Sequence, residues 1–359
     1  MADRIIDWGI ARAGAIAGIA LAIGTLACAP PAATTAPVAA VSPTPTSAGQ
    51  TVKRVRVSVA GALGQAGQYL AQSQGYFAQE GLSVDLVQGD PSNAFTALFA
   101  GEVDVSGIPV DSGLFNAIQR GVDFRIAATQ ASSKQDANGV FFVVRRDLID
   151  NRKVVGYADL KGLKIGIPTR ADEYVLAKAL QAGGLVLGDA EAVILNFPAT
   201  VTALGSGAID VGVLPEPLAT IAVQNGSGVK WKGYADVAPG IQQTVVAFSP
   251  QFTAQRDVAT SWMTAYLRGL RDYNDAFFKN THRSQTVEAL ASALSLKPAL
   301  FDSMGFAHLD PDGRVNMASV EDRMRWYVQM GYVSAPVDLT KVFDSSFADA
   351  AVARLGPYR

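Results

Sequence analysis

Cysteine and histidine are nearly absent. The 359 residues contain one cysteine, Cys28, and two histidines, His282 and His308. That excludes a zinc finger, a disulfide framework and a His-rich metal centre, so neither a metal nor a cofactor is expected. Charge is sparse as well. Lys and Arg number 30 against 32 Asp and Glu, a net charge of −2, and charged residues make up 17% of the chain, where about 25% is usual. The electrostatic footprint of a nucleic-acid binder is missing. What is present is a 49% hydrophobic fraction, enough for a sizeable core. At about 150 residues per domain, the length suggests roughly two domains.

Charge is missing altogether over residues 13–52. Residues 13–27 (AGAIAGIALAIGTLA) are small and apolar, follow Arg4 and Arg12, and run into Cys28. This is shorter than the ~20 residues of a membrane span and has the layout of a secretory signal. Residues 29–50 (APPAATTAPVAAVSPTPTSAGQ) are rich in Pro, Ala, Thr and Ser without periodicity, which makes a semi-extended linker. At the junction, Thr25-Leu26-Ala27-Cys28 resembles the cleavage box of bacterial lipoproteins, departing from it at Thr25, where Leu is usual. The resemblance implies that Cys28 is lipidated and becomes the new N-terminus. The expected layout is a signal peptide over 1–27 and a lipidated Cys with its linker over 28–52.

From Lys53 onward strands and helices alternate. Period-2 and short apolar runs predict strands near 54–59, 84–87, 103–108 and 124–128, with helices over 67–79, 92–99 and 112–119 between them. A second run predicts strands at 164–167, 192–195 and 209–214 around helices at 172–181 and 200–204. This order indicates mostly parallel sheets with helices on both faces. The two runs are related: a shift of 106 places 96–109 on 202–215 with seven identities, including Gly101/Gly207, Asp104/Asp210 and Pro109/Pro215. A strand at 244–248 reads as a return crossover, and residues 257–279, 287–294 and 320–330 read as helices. The expected architecture is one lobe from 53–138 and 246–359 and a second from 139–245.

The stretch Gln74-Gly75-Tyr76-Phe77-Ala78-Gln79-Glu80-Gly81-Leu82-Ser83-Val84 resembles the "GYF.kEGL.V" element of the solute-binding proteins of ABC importers for nitrate, sulfonates, taurine and thiamine-pyrimidine precursors. Ala97 to Asp104 (ALFAGEVD), Leu160 to Gly166 (LKGLKIG), the Glu216-Pro217 pair and the Gly331-Tyr332 pair followed by DLTKVFD are similar to further elements of that family. The resemblance spans roughly 53–350. It implies an α/β, two-lobed periplasmic-binding-protein fold of type II, each lobe a mixed sheet flanked by helices, with the ligand cleft between the lobes. It also implies a small-molecule ligand, a membrane permease and a cytoplasmic ATPase as partners. The expected protein is a monomer on the extracytoplasmic face of the bacterial cell membrane, held by its lipid anchor and binding no nucleic acid.

Ligands of open α/β sheets bind beyond the carboxyl ends of strands. The candidate ligand-binding residues at those places are Gln65, Gln68, Tyr69, Ser92, Asn93, Thr129, Gln130, Thr169, Tyr174 and Glu216. Tyr69 and Tyr174 lie 105 positions apart, close to the repeat offset. If the lobes are pseudo-equivalent, both rings face the cleft and sandwich a flat solute, with Phe95, Phe115 and Phe197 as further candidates; the other reading packs these rings inside their own lobes. Asp172 and Glu173 at the second lobe's helix start would repel an anion, with Arg170 either offsetting them or pairing with them. A planar heterocycle, riboflavin or a thiamine-type pyrimidine, is therefore the expected solute, and nitrate, taurine or an alkanesulfonate the alternative. Gln65, Gln68, Asn93 and Gln130 could hydrogen-bond ring amides or a polyol.

Catalysis is not expected. The family resembles eukaryotic thiamine-pyrimidine synthases, which depend on a Cys-rich iron segment and an active-site His; here the lone Cys28 lies outside the body and both His fall in the C-terminal helical third. No Gly-x-Ser-x-Gly elbow or phosphate loop occurs, and Asp104 and Asp210 sit at equivalent strand starts, where turn or cap roles are expected. His308, near Asp310-Pro311-Asp312-Gly313, marks a turn. A lipoprotein sensor without transport remains a third reading with the same fold.

Overall fold

The computed structural model describes residues 52–89 and 93–359; the expected signal peptide, Cys28, most of the expected linker and Ser92 lie outside them. Among the described residues ten strands follow one another: β1 (Lys53–Val59), β2 (Leu82–Gln88), β3 (Val105–Pro109), β4 (Arg125–Ser132), β5 (Val140–Arg145), β6 (Lys164–Ile167), β7 (Glu191–Ile194), β8 (Val211–Pro215), β9 (Gly228–Gly233) and β10 (Gln242–Phe248). They form two five-stranded sheets, one ordered β2-β1-β3-β10-β4 and the other β7-β6-β8-β5-β9. In the first, β1 pairs in parallel with β2 and β3, and β10 runs antiparallel between β3 and β4. In the second, β6 pairs in parallel with β7 and β8, and β5 runs antiparallel between β8 and β9. Helices flank both sheets, which is the two-lobed type II periplasmic-binding fold.

The internal repeat is structural. The Asp104 N–H donates to the Arg56 carbonyl, and the Arg56 N–H returns a bond to the Asp104 carboxylate at 2.8 Å. Asp210 does the same with Lys164, whose N–H reaches its carboxylate at 2.9 Å. Each aspartate also holds an arginine, Arg56 in one lobe and Arg145 in the other. These carboxylates tie the start of one parallel strand to its neighbour, the cap role expected of them. Gly101 and Gly207 end the preceding helices at φ of 69° and 73°, left-handed values that a side chain would strain.

Three details depart from the sequence expectation. The helix expected over 67–79 is broken by Gly75, which has φ 69°, into Ala66–Ser73 and Tyr76–Gln79. β5 and β9 were not anticipated: β5 (VFFVVR) is a central strand covered on both faces, so it lacks alternation. β10 begins at Gln242 and lies wholly in the first sheet, so the return crossing precedes it.

The helix Arg256–Phe278 supplies the first lobe's core with the fully buried Trp262, Tyr266 and Tyr273. It crosses the helix Ala66–Ser73 at Gly67 and Gly269, where a Cβ on Gly269 would stand 2.2 Å from the Gly67 carbonyl oxygen. A second core spans both lobes. It joins Leu114 and Phe115 of the first lobe to Val175 and Leu176 of the second through Val320, Met324 and Tyr327 of the helix Met317–Gln329.

Candidate functional site

The carboxyl ends of the parallel strands in the two sheets meet at the junction of the lobes. Where the chain leaves β1 it turns at Gly61, φ 69°. The Ala60 N–H donates to Gln65 Oε1 at 2.7 Å, and the Gly61 N–H to the Tyr69 hydroxyl at 3.1 Å. These bonds fix the loop so that the Leu63 N–H reaches across to the Glu216 carbonyl at 3.2 Å. Glu216 follows β8 in the second lobe. Its carboxylate is fully buried and accepts from Lys230 Nζ at 2.9 Å, the Gly305 N–H at 3.0 Å and the Thr220 N–H at 3.1 Å. Gly305 lies between Met304 and Ala307, which pack in the first lobe's core, so Glu216 is bonded twice to the opposite lobe.

A charged cluster occupies a second part of the junction. Asp111, after β3, caps the helix Ser112–Gln119 by accepting from the Leu114 N–H at 3.0 Å. Asp172, after β6, accepts from the Thr169 hydroxyl at 3.1 Å and from the Tyr234 hydroxyl. Both carboxylates act electrostatically on the buried Arg323, whose guanidinium donates to the Gln242 carbonyl at 2.9 Å and contacts the Tyr327 hydroxyl at 3.3 Å. Burial pushes the Asp111 carboxyl above its usual range, against the Leu114 amide and Arg323, which pull it down. Burial likewise raises Asp172, opposed by the Tyr234 hydroxyl and Arg323. Two carboxylates from opposite lobes thus lie in the field of one guanidinium.

Gln65, Gln68, Tyr69 and Gln130 are brought to one end of the first sheet. All four are buried. The Gln130 amide lies over Gly107, whose Cβ, if it had one, would sit 2.4 Å from Nε2. Gln68 Oε1 and Gln130 Nε2 have no hydrogen-bond partner among the described residues, and a buried unpaired amide atom is costly unless a bound molecule completes it. Thr129 instead turns inward and accepts from Gln242 Nε2 at 2.8 Å. Asn93 is exposed at the start of the short helix Ala94–Phe99 and makes no side-chain cap.

The tyrosine sandwich is not formed. Tyr69 lies in the first lobe's core, whereas Tyr174 packs edge-on to Trp326 and donates its hydroxyl to Asp322 of the helix Met317–Gln329. Phe95 packs with Phe99 and Phe124, Phe115 with Tyr327, and Phe197 in a small cluster of the second lobe. Packing within and beside the cores was the stronger demand on these rings. Arg170 pairs with Glu173 at 2.8 Å, the second of its two expected roles. Sequence reasoning missed Asp111, Arg323, Lys230 and Tyr234. An Asp directly after a strand and before a helix was a readable cap signal for Asp111; the other three act over separations that no local pattern carries. Among the described residues no cluster of His, Cys, Asp and Glu could hold a metal.

Residues 64–275 match the family model described as NMT1/THI5 like. No curated protein matches the chain. Among solved structures, the nitrate-binding protein NrtA from Synechocystis PCC 6803 aligns with a TM-score of 0.70 at 14% identity, covering 85% of this chain and 90% of that one. The ligand-binding component of an ABC-type import system from Staphylococcus aureus, with zinc bound, gives 0.68 at 14% identity over 83% and 99%. The alkanesulfonate-binding protein SsuA from Xanthomonas axonopodis pv. citri, bound to MOPS, gives 0.65 at 16% identity over 83% and 99%. The desulfurization enzyme DSZB shares the fold at 0.59 and 15% identity over 84% and 99%, so the fold by itself does not separate binding from catalysis.

Proposed function

The chain belongs to the NMT1/THI5-like family, and we propose that it captures a small polar solute between its lobes as the non-catalytic binding protein of an ABC-type importer. The observation that carries this reading is the junction itself. The loop after β1 and the segment after Pro298–Asp302 both bond across it to the loop after β8, from Leu63 to Glu216 and from Gly305 to Glu216. Two lobes joined by two crossings form a hinge that can close over a solute. The partners are a membrane permease and its ATPase. A lipid on Cys28 and a tether of about 24 residues, at about 3.1 Å each, would hold a monomeric body up to roughly 75 Å from the bilayer.

For the solute, nitrate, taurine or an alkanesulfonate is the reading that the similar structures favour, since they include a nitrate-binding and an alkanesulfonate-binding protein. Arg323 is the buried cation such a solute would address, in competition with Asp111 and Asp172. A planar heterocycle, riboflavin or a thiamine-type pyrimidine, is the second reading. The carboxylate excess and the amides of Gln68 and Gln130 favour it, because ring N–H and carbonyl groups complement them. Calorimetric titration of the purified chain with nitrate, taurine, ethanesulfonate, riboflavin and hydroxymethyl-pyrimidine tests both. Saturable binding of one class alone selects it, and binding of none overturns the importer reading.

A further inference from the structure

The helix Met317–Gln329 is fastened to both lobes, and unequally. To the first lobe it is tied through the backbone around Gln242. The Gln242 N–H donates to Ser319 Oγ at 2.9 Å, the Asn316 N–H to Gln242 Oε1 at 3.0 Å, and Arg323 to the Gln242 carbonyl at 2.9 Å. Phe115 packs on Tyr327 with ring centroids 5.9 Å apart. To the second lobe it is tied mainly by side chains. Tyr174 donates to Asp322, Lys178 Nζ lies 3.7 Å from Asp322, and Trp326 meets the Tyr174 ring at 5.6 Å. The Tyr327 hydroxyl reaches the Arg170 carbonyl only at 3.5 Å.

We propose that this helix is a strap that moves with the first lobe, and that Tyr174 and Asp322 are its latch on the second: the lobes part only when the Tyr174–Asp322 bond breaks. Opening leaves the three Gln242 bonds intact, because they lie within the first lobe. The latch therefore adds to the closed form, and the apparent affinity for any solute held between the lobes scales with the balance that it sets. Tyr174 and Asp322 are positioning residues in this account. It rests on the binding-protein reading only for the use made of opening.

The Leu63 amide is a built-in reporter, because its hydrogen bond to Glu216 crosses between the lobes. Hydrogen exchange at Leu63 in the full chain without solute follows opening, and exchange at Val246, in the middle of β10 in the first sheet, follows global unfolding. Tyr174→Phe keeps the ring against Trp326 and removes only the donor. It is expected to speed Leu63 exchange roughly fivefold, the effect of one hydrogen bond, and Val246 exchange by about the same factor, since global unfolding breaks the same bond. Asp322→Asn should speed it in the same direction, and the double variant should add little to the larger single effect, since both act on one bond. Leu63 exchange that stays at the wild-type rate in the variant, or that in the wild type is already no faster than Val246, overturns the latch. Should Tyr174→Phe fail to fold, Asp322→Asn is read alone by the same criterion. No solute enters the measurement, so a failed latch and a failed titration are told apart.

Discussion

The Leu63 amide and the Glu216 carbonyl, 3.2 Å apart, follow strands of different sheets, and their bond joins the loop after β1 to the loop after β8. The same glutamate buries its carboxylate among Lys230, Thr220 and Gly305. One residue thereby organises this part of the junction through both its backbone and its side chain. Named at the outset as a solute ligand, Glu216 has its carboxylate engaged by the protein itself.

Replacing Glu216 by Ala should cost about 3 kcal/mol, because it leaves two backbone N–H groups unpaired and takes the counter-charge from Lys230, which keeps only the neutral acceptors of Thr220 and Ser303. Glu216→Gln keeps an acceptor for the amides and should cost about 1–2 kcal/mol. Urea unfolding midpoints at neutral pH check both. Equal losses in the two variants would show that the ion pair with Lys230 carries nothing.

The crossing of the helices Ala66–Ser73 and Arg256–Phe278 leaves no room for a methyl group. A Cβ on Gly67 would stand 2.6 Å from the Tyr266 ring and 2.7 Å from Leu270, both side chains with some freedom to shift. On Gly269 it would meet backbone. Gly67→Ala is expected to destabilise by about 1–3 kcal/mol and Gly269→Ala by about 3 kcal/mol or more. Chemical denaturation gives the order, and the reverse order would contradict the backbone contact.

His308 lines a cavity with Lys134, Asp136 and Asn274. Burial, aided by Lys134 and opposed by Asp310, lowers its pKa to about 4. In the unfolded chain it titrates near about 6.5, so between these values the unfolded state holds the extra proton. Its neutral form thus favours folding fully above about pH 6.5, and that advantage shrinks as pH falls toward about 4. His308→Gln should flatten this acid-side decline in unfolding midpoints. A decline as steep as in the wild type would place its cause in other groups.

Cys28→Ser should move the protein from the detergent-rich to the aqueous phase on detergent partitioning, as loss of the acyl chains requires. Retention in the detergent phase would mean that the apolar segment itself is the anchor.

Much of the fold was legible because its signals are local. The repeat at 96–109 and 202–215 marked equivalent units, and Asp104, Asp210, Gly101 and Gly207 take the same backbone roles in both. Strand β5 escaped because burial on both faces removes the alternation that identifies a strand. Gln68 and Gln130 were named from their place after an expected strand; the structure puts Gln68 in the helix Ala66–Ser73 and Gln130 inside β4, each with one amide atom unpaired among the described residues. Arg323 was not, since its partners lie up to 212 positions away, at Asp111. Tyr174 shows the limit of repeat symmetry: it stands at nearly the offset of Tyr69, but the helix Met317–Gln329, which covers it, comes from outside the repeat.

The placement of β10 between β3 and β4 has a consequence for the order of assembly. As the chain emerges from its N-terminus, β4 has no hydrogen-bonding neighbour in its sheet until Gln242 appears, more than a hundred residues later. The second lobe's five strands, β5 to β9, are contiguous in the chain and can close as soon as Gly233 is out. The middle of the sequence therefore completes its sheet before the beginning does. A chain so ordered leaves β4, the last strand of the first sheet, unpaired until β10 emerges.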